Sequence, residues 1–351
     1  MRIQLTKDKE VYDYGRPYII AELGSNHNGD MDLARQLISK AREAGADCVK
    51  FQSWSKDTIF SKKVYEQNYF LADDYRERTD YTLEEIVDKF AISEDELRKM
   101  KKFADEMGID CISTPFSKRE VDFLVEELRV SFIKVASMDL SNYPFLHYIA
   151  MKNLPIVLST GLSRLSEIDK AIQTIEEAGN NKIVILHCVS LYPPEDRQVN
   201  LNNIDTLRTA YPYPIGFSDH TIGFSIPLAA VAKGACLIEK HFTLDKNMFG
   251  WDHKVSADFM EMKIIVKESK RICQALGTHR VMVNEDEERL KAFRRSIVAA
   301  REIKKGEIFK EDMLDFKRPA EGIAPGYVDF IIGKAAKRDI EYDEIINKED
   351  F

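Results

Sequence analysis

Eight short apolar runs, each followed by a stretch of helical periodicity, set the tightest limit on what this chain can become. They read YIIAELG (18–24), DCVKFQS (47–53), IDCISTPF (109–116), SFIKVAS (131–137), PIVLSTG (155–161), KIVILHCVS (182–190), PIGFSDH (214–220) and ACLIEKHF (235–242). Continuous Ile- and Val-rich runs of this length predict strands buried on both faces, as in a parallel sheet. Between them, MDLARQLISKAREAGA puts Leu33, Leu37, Ile38 and Ala41 on one helical face, with Gly45 near its C-terminal end. SRLSEIDKAIQTIEEAG does the same with Leu165, Ile168, Ile172 and Ile175, starting at Ser163 and stopping at Gly179. Eight strand–helix units in series predict an α/β fold, a (β/α)8 TIM barrel. An open doubly wound sheet rarely carries so many regular units.

Polar residues close every run: Glu22; Lys50 and Gln52; Thr114; Lys134 and Ser137; Ser159 and Thr160; His187 and Ser190; Ser218 and His220; Glu239, Lys240 and His241. In a barrel these ends converge on one mouth, where active sites are built. One such residue means little, but eight strands in succession predict a site. GFSDHT (216–221) sets Ser218, Asp219 and His220 side by side and reads as a set of ligands.

Composition narrows the partners. Over 351 residues, 44% are hydrophobic and 31% charged, enough apolar material for a large core. A net charge of −8 argues against a nucleic-acid partner bound through its phosphates. It leaves room for a small anionic substrate held by a local cationic cluster. The five cysteines (Cys48, Cys111, Cys188, Cys236 and Cys273) form no CxxC pair and are expected to be reduced core thiols. The N-terminal MRIQLTKDKEVYDYG lacks the apolar segment of a signal peptide, and no run reaches the length of a membrane span. A soluble, cytoplasmic protein without a membrane partner is expected.

The organisation predicted is a barrel over 1–277, a charged linker over 278–292, and a small β-rich module over 293–351 with turns at KKGE and APGY. A core that small gains from packing on another surface.

The motifs IIAELGSNHNGD, AGADCVKFQ, ISTPFS, FIKVAS, NYPFL, VLSTG, LHCVSLYPP, GFSDHT, LIEKHFTLDK and DMLDFKRP follow in order through nearly the whole chain. The ordered set resembles the sialic acid synthase family, the N-acetylneuraminate, legionaminate and pseudaminate synthases, with a C-terminal SAF (antifreeze-like) domain. Members condense phosphoenolpyruvate with an N-acyl hexosamine and water to give a nine-carbon 2-keto sugar acid. The resemblance implies phosphoenolpyruvate contacts from Lys50, Thr114, Lys134, Ser137, Ser159 and Ser218, and metal ligation by His220 and His241. It implies acyl-sugar contacts from Gln52, Tyr192 and Asp252, and from Arg318 of the SAF domain, reaching into the partner's barrel of a domain-swapped homodimer. Two positions depart from the family pattern: Ser190 stands where Asn is frequent, and Asp139 replaces a Glu. Both remain polar, and both leave substrate identity open.

The chemistry asks for these residue types. Lys50 and Lys134 can neutralise a carboxylate and a phosphate, with Thr114, Ser137, Ser159 and Ser218 as neutral donors. Taken alone, a lysine at a strand end is a surface charge, but two at the ends of buried strands need a partner. The two histidines can hold a borderline divalent ion with open positions; Mn²⁺ is expected, with Co²⁺ or Mg²⁺ as alternatives. Glu22, Asp139 and Glu239 are the candidate bases for the attacking water, whereas His187 and Asp219 read as structural. Arg318 in KRP suits a carbonyl anchor. The aromatic loop over 53–81, with Phe249 and Trp251, fits either a 6-deoxy acetamido sugar pocket or a subunit contact. N-acetylmannosamine and a 2,4-diacetamido-2,4,6-trideoxyhexose both stay open as substrates. A barrel hydrolase would call for an early HxH pair, which is missing. A non-catalytic sugar-binding relative would have lost a lysine or a histidine of the set, and the SAF domain argues against a deoxy-octulosonate-type enzyme.

Overall fold

The computed structural model describes residues 1–68, 82–278 and 280–351. It divides into two compact units, 1–277 and 278–351. In the first, a hairpin of β1 (Ile3–Thr6) and β2 (Lys9–Val11) precedes eight strands. These are β3 (Tyr18–Gly24), β4 (Cys48–Ser53), β5 (Asp110–Pro115), β6 (Ile133–Val135), β7 (Ile156–Ser159), β8 (Ile183–Cys188), β9 (Ile215–Asp219) and β10 (Leu237–His241). All eight are parallel, in the order β5-β4-β3-β10-β9-β8-β7-β6. The two ends of that order, β5 and β6, also run side by side, so the sheet is a nearly closed barrel. Each of the eight barrel strands lies within the apolar run that predicted it.

The helices stand where apolar periodicity put them. Asp30 caps Met31–Ala44 by accepting from the backbone of Asp32 and Leu33, and Ala34, Leu37, Ile38 and Ala41 face the core. Leu165–Glu177 buries Ile168, Ile172 and Ile175, but Leu165 itself is half-exposed. Its first residue follows Arg164, whose N–H bonds the Glu167 carboxylate at 2.8 Å, while the Ser163 hydroxyl turns back to Gly161 O. Ser163 is therefore the end of the loop and not the helix cap.

The β1–β2 hairpin has no counterpart among the predicted strands. Ile3, Leu5 and Val11 join the barrel core, and Asp13 accepts from the backbone of Ile215 at the start of β9. The Lys and Asp residues of its turn mask a short alternation that is apolar on one face only.

In the second unit β11 (Ser296–Ala299) pairs antiparallel with β12 (Leu314–Lys317), over a core that includes Ile297, Ile303, Phe309, Ile331 and Ile340. A helix, Glu287–Phe293, belongs to this unit, with Lys291 O accepting from Ala320 N and Lys291 paired to Glu321. Among the described residues, no helix is long and apolar enough to cross a membrane.

Candidate active site

The parallel ladder places Glu22 beside Lys50 on one side and His241 on the other. Lys50 Nζ lies 2.6 Å from Glu22 Oε2 and 3.8 Å from Glu239 Oε2, and it donates to Thr114 Oγ1 at 2.9 Å. Lys134 Nζ donates to Ser159 Oγ at 2.7 Å and to Val135 O at 2.9 Å, with Glu239 Oε1 3.8 Å away. The Ser218 hydroxyl donates to Glu239 Oε1 at 3.1 Å. All of these side chains are buried. Ammonium groups at this depth need opposing charge, and the two glutamates supply it.

The two carboxyls diverge. Burial pushes Glu22 up to about 7, the Glu239 carboxylate adds to the push, and Lys50 opposes it. Burial would raise Glu239 as well, but Lys134 and Lys50 outweigh it and hold that carboxyl below its usual range. The Lys134 ammonium is lowered by burial. For Lys50 the same penalty is overcome by Glu22 and Glu239, and it is raised. Two cations thus face one firmly ionised carboxylate and one that takes a proton near neutrality. An entering anion meets positive charge that is only partly matched.

The two imidazoles sit beside this network. His220 and His241 are buried with ring centroids 5.5 Å apart. His220 Nδ1 bonds Val189 O at 2.8 Å, so that nitrogen carries a proton; burial would lower the ring, but the Cys188 thiol bonded to it and Val189 O outweigh burial and raise it. His241 Nδ1 is buried without a hydrogen-bond partner, 3.7 Å from Asp252 Oδ2. Tyr192 lies over His220, 4.0 Å between centroids. Among the described residues no three His, Cys, Asp or Glu side chains form a ready cage. An orphaned imidazole nitrogen with a second imidazole beside it fits a divalent ion whose other positions are oxygen ligands.

Ser137 and Ser190 converge around Gly161. Gly161 N donates to Ser137 Oγ at 3.0 Å, and a Cβ on Gly161 would lie 2.7 Å from that oxygen and overlap Ser190 Oγ. Cys188, expected as a plain core thiol, is part of the site: Ser137 Oγ donates to its sulfur at 3.6 Å. Burial would raise this thiol, but His220 and Ser137 bring it down to about 7. Its position between His187 and Ser190 in a strand-end motif was the available signal. His187 bonds Val199 O and stacks on Phe217, and Asp219 pairs with buried Lys240 at 2.6 Å while accepting from Thr221 N. Both are structural supports.

Gln52 donates to Glu22 Oε1 at 2.9 Å and accepts from Trp54 Nε1 at 2.9 Å. Trp54 belongs to a separate apolar cluster with Phe90, against which Phe249 and Trp251 pack. The part of the aromatic loop over 69–81 lies outside the described residues, as does position 279 of the linker. Asp139 bonds Asn142 within its own turn, and burial raises its carboxyl. Arg318 lies in the second unit, exposed, with its guanidinium over the Phe293 ring at 5.0 Å.

Residues 37–281 match the NeuB family, and residues 294–351 match the SAF domain. The N,N'-diacetyllegionaminic acid synthase of Campylobacter jejuni is 39% identical over 333 residues, 94% of this chain and 98% of that one. A pseudaminic acid synthase of Campylobacter jejuni is 33% identical over 334 residues, 95% of this chain and 96% of that one. The crystal structure of the N-acetylneuraminic acid synthetase of Leptospira borgpetersenii, in complex with citrate, superposes with a TM-score of 0.72 at 32% identity. It covers 82% of this chain and 94% of that one. The chain belongs to the NeuB family and carries a C-terminal SAF domain.

Proposed function

We propose that the chain condenses phosphoenolpyruvate with an N-acyl hexosamine and water, giving a nine-carbon 2-keto-3-deoxy sugar acid and phosphate. The observation that carries this reading is the buried pair Lys50 and Lys134, ringed by Thr114, Ser159 and Ser218 and set beside two imidazoles. In the reaction, C3 of phosphoenolpyruvate bonds to C1 of the open-chain sugar. Water adds at C2, and phosphate leaves with cleavage of its C–O bond. Lys50 and Lys134 hold the carboxylate and phosphate, exchanging part of their present pairing with Glu22 and Glu239 for the substrate's charge. Ser137 and Ser190 add neutral contacts, and Gln52, Tyr192 and Asp252 face the sugar. Glu22 and Glu239 are the carboxylates assigned to proton transfer, since each lies within an ion-pair distance of Lys50. Asp139 is given no such role, because its bond is to Asn142.

His220 and His241 would hold a divalent ion, Mn²⁺ being the expected one; when bound it supplies Lewis-acid polarisation of the aldehyde oxygen. The orphaned His241 Nδ1 supports that assignment. The sugar proposed is a 2,4-diacetamido-2,4,6-trideoxyhexose, supported by the higher identity to the legionaminic acid synthase, 39%, than to the N-acetylneuraminate-9-phosphate synthase of Homo sapiens, 34%. The working form proposed is a homodimer in which Arg318 anchors the acyl group in the partner's barrel.

The test is phosphate release from phosphoenolpyruvate, with Mn²⁺ or with EDTA, against N-acetylmannosamine and against the diacetamido sugar. Release that needs the metal and prefers the diacetamido sugar is expected. Release that survives EDTA would remove the ion from the reading. Silence with both sugars, in a protein that still binds phosphoenolpyruvate, would overturn the sugar class.

A further inference from the structure

The SNHN segment after β3 supplies none of the groups assigned above, yet its side chains are buried or partly buried and two of them, Asn26 and Asn28, bond the loop after β10. That second loop, 242–257, carries Asp252. Asn26 Nδ2 donates to Phe242 O at 2.9 Å, where the loop begins, and to Ser256 Oγ at 2.8 Å, where it ends. Ser256 Oγ in turn donates to the main-chain carbonyl of Asp252 at 2.7 Å. Asn28 Nδ2 donates to Phe249 O at 2.8 Å, and Asn28 Oδ1 lies 3.3 Å from Nε2 of buried His253. His253 Nδ1 is 2.7 Å from Thr243 Oγ1, which accepts from Asp245 N at 3.2 Å.

These bonds have one consistent polarity. Burial lowers the His253 imidazole to about 4, so it is neutral and carries a single proton. Asn28 presents a carbonyl oxygen to Nε2, so the proton sits on Nε2. Nδ1 is then an acceptor for the Thr243 hydroxyl at 2.7 Å, whose single proton is shared with Asp245 O at 3.0 Å. The chain runs from Asp245 N–H through Thr243, His253 and Asn28 to Phe249 O. It begins and ends on the β10 loop and passes through the β3 loop in between. Gly250 leaves the space for it, because a Cβ there would lie 2.6 Å from His253 Nε2 and 3.0 Å from Asn28 Oδ1. A buried ring has little freedom to give way.

We infer that Asn26, Asn28 and His253 are positioning residues that latch the β10 loop onto the β3 loop and thereby set Asp252 against the acyl sugar. The inference rests on the reading of Asp252 as a sugar contact. The latch touches none of the phosphoenolpyruvate groups, so its loss separates the two substrates. Small misplacement of a binding group is expensive, on the order of tenfold or more.

Four variants test it: Asn28→Ala, His253→Ala, His253→Gln and Gly250→Ala, with KM for each substrate, kcat, and hydrogen–deuterium exchange of 242–257. Asn28→Ala, His253→Ala and Gly250→Ala are expected to raise KM for the sugar roughly tenfold or more and to speed exchange in that loop, leaving KM for phosphoenolpyruvate within about twofold. His253→Gln, which keeps an N–H donor toward Asn28, is expected to recover most of the sugar KM. Unchanged exchange in the Ala variants would overturn the latch. Equal shifts in both KM values would reduce these residues to general stability and overturn the inference. Faster exchange in a wild-type-like background that releases no phosphate with either sugar would instead overturn the functional reading, and with it the role given to Asp252.

Discussion

Gly161 shows how one missing side chain can organise a site. It follows β7, where its N–H holds Ser137 Oγ and its bare Cα lets Ser137 and Ser190 approach from two other strand ends. Replacing it with Ala would set a methyl against both hydroxyls, so that each serine has to turn out of its present rotamer and the Gly161 N–H to Ser137 bond is lost. Gly161→Ala is therefore expected to raise KM for phosphoenolpyruvate by roughly tenfold while KM for the sugar changes little. Steady-state kinetics with each substrate varied in turn checks this, and an unchanged phosphoenolpyruvate KM would show that the two hydroxyls do not contact it. The substitution is the mirror image of the His253 variants, which act on the sugar side alone. At this scale the sequence was informative where a residue type is costly to bury. Lys50, Lys134, Glu22 and Glu239 stood out as charges inside apolar runs, and the structure gives them each other as partners. Gly161 was not legible as a site residue, and the strand-end position of Cys188 was outweighed by its type, because a thiol or a glycine in such a run is also what ordinary packing uses.

The strands were readable because a parallel barrel buries both faces and writes each strand as an unbroken apolar run. The loops were not, because what fixes them is hydrogen bonding between segments far apart in the chain. Asn26 and Ser256 are 230 positions apart, and no local pattern announces their bond. The aromatic residues illustrate the same point: Trp54 and Trp251 had two readings, pocket or subunit contact, and no local pattern announced that they pack on each other, with Trp251 also against Phe90. The β3 loop also carries an acid-sensitive element. His27 Nδ1 accepts from Gly29 N at 3.1 Å, and burial lowers the ring to about 4, against the pull of Glu96 and Asp30. His253, facing Asp245, is lowered to about 4 as well. Unfolding returns both rings to the ordinary value near 6.5, so between about 6.5 and 4 the unfolded chain binds more protons. Stability from these rings is complete above pH 6.5 and is lost as the pH falls toward 4. Both tryptophans lie in the barrel unit, so their fluorescence reports its melting. Glu22, raised to about 7, and Asp252, raised to about 6, take up protons in the folded chain over the same range and oppose the two rings. The prediction is therefore a difference: from pH 7 to pH 5 the midpoint of His27→Gln is expected to shift toward greater stability relative to wild type, and an identical pH profile in that variant would assign the acid sensitivity to other groups.

At the scale of the whole molecule, the chain is two units with separate apolar cores, and the groups proposed for catalysis are divided between them. Lys134 is in the barrel, and Arg318 is in the SAF domain. If Arg318 acts in the partner's barrel, the two positions can complement each other across a dimer. Lys134→Ala removes a buried cation of the anion site, and Arg318→Ala removes the proposed acyl anchor, so each variant alone is expected to be nearly inactive. In a mixed dimer the barrel of the Arg318→Ala subunit still has Lys134, and it receives Arg318 from the Lys134→Ala subunit. That dimer has one complete site of two. Random reassociation of equal amounts makes about half the dimers mixed, so recovery of about a quarter of wild-type activity is expected. If Arg318 served its own barrel, every barrel in the mixture would lack one group or the other, and mixing would recover nothing. The readout needs no structure of the dimer, because the two arrangements of the same residues differ between a quarter and zero.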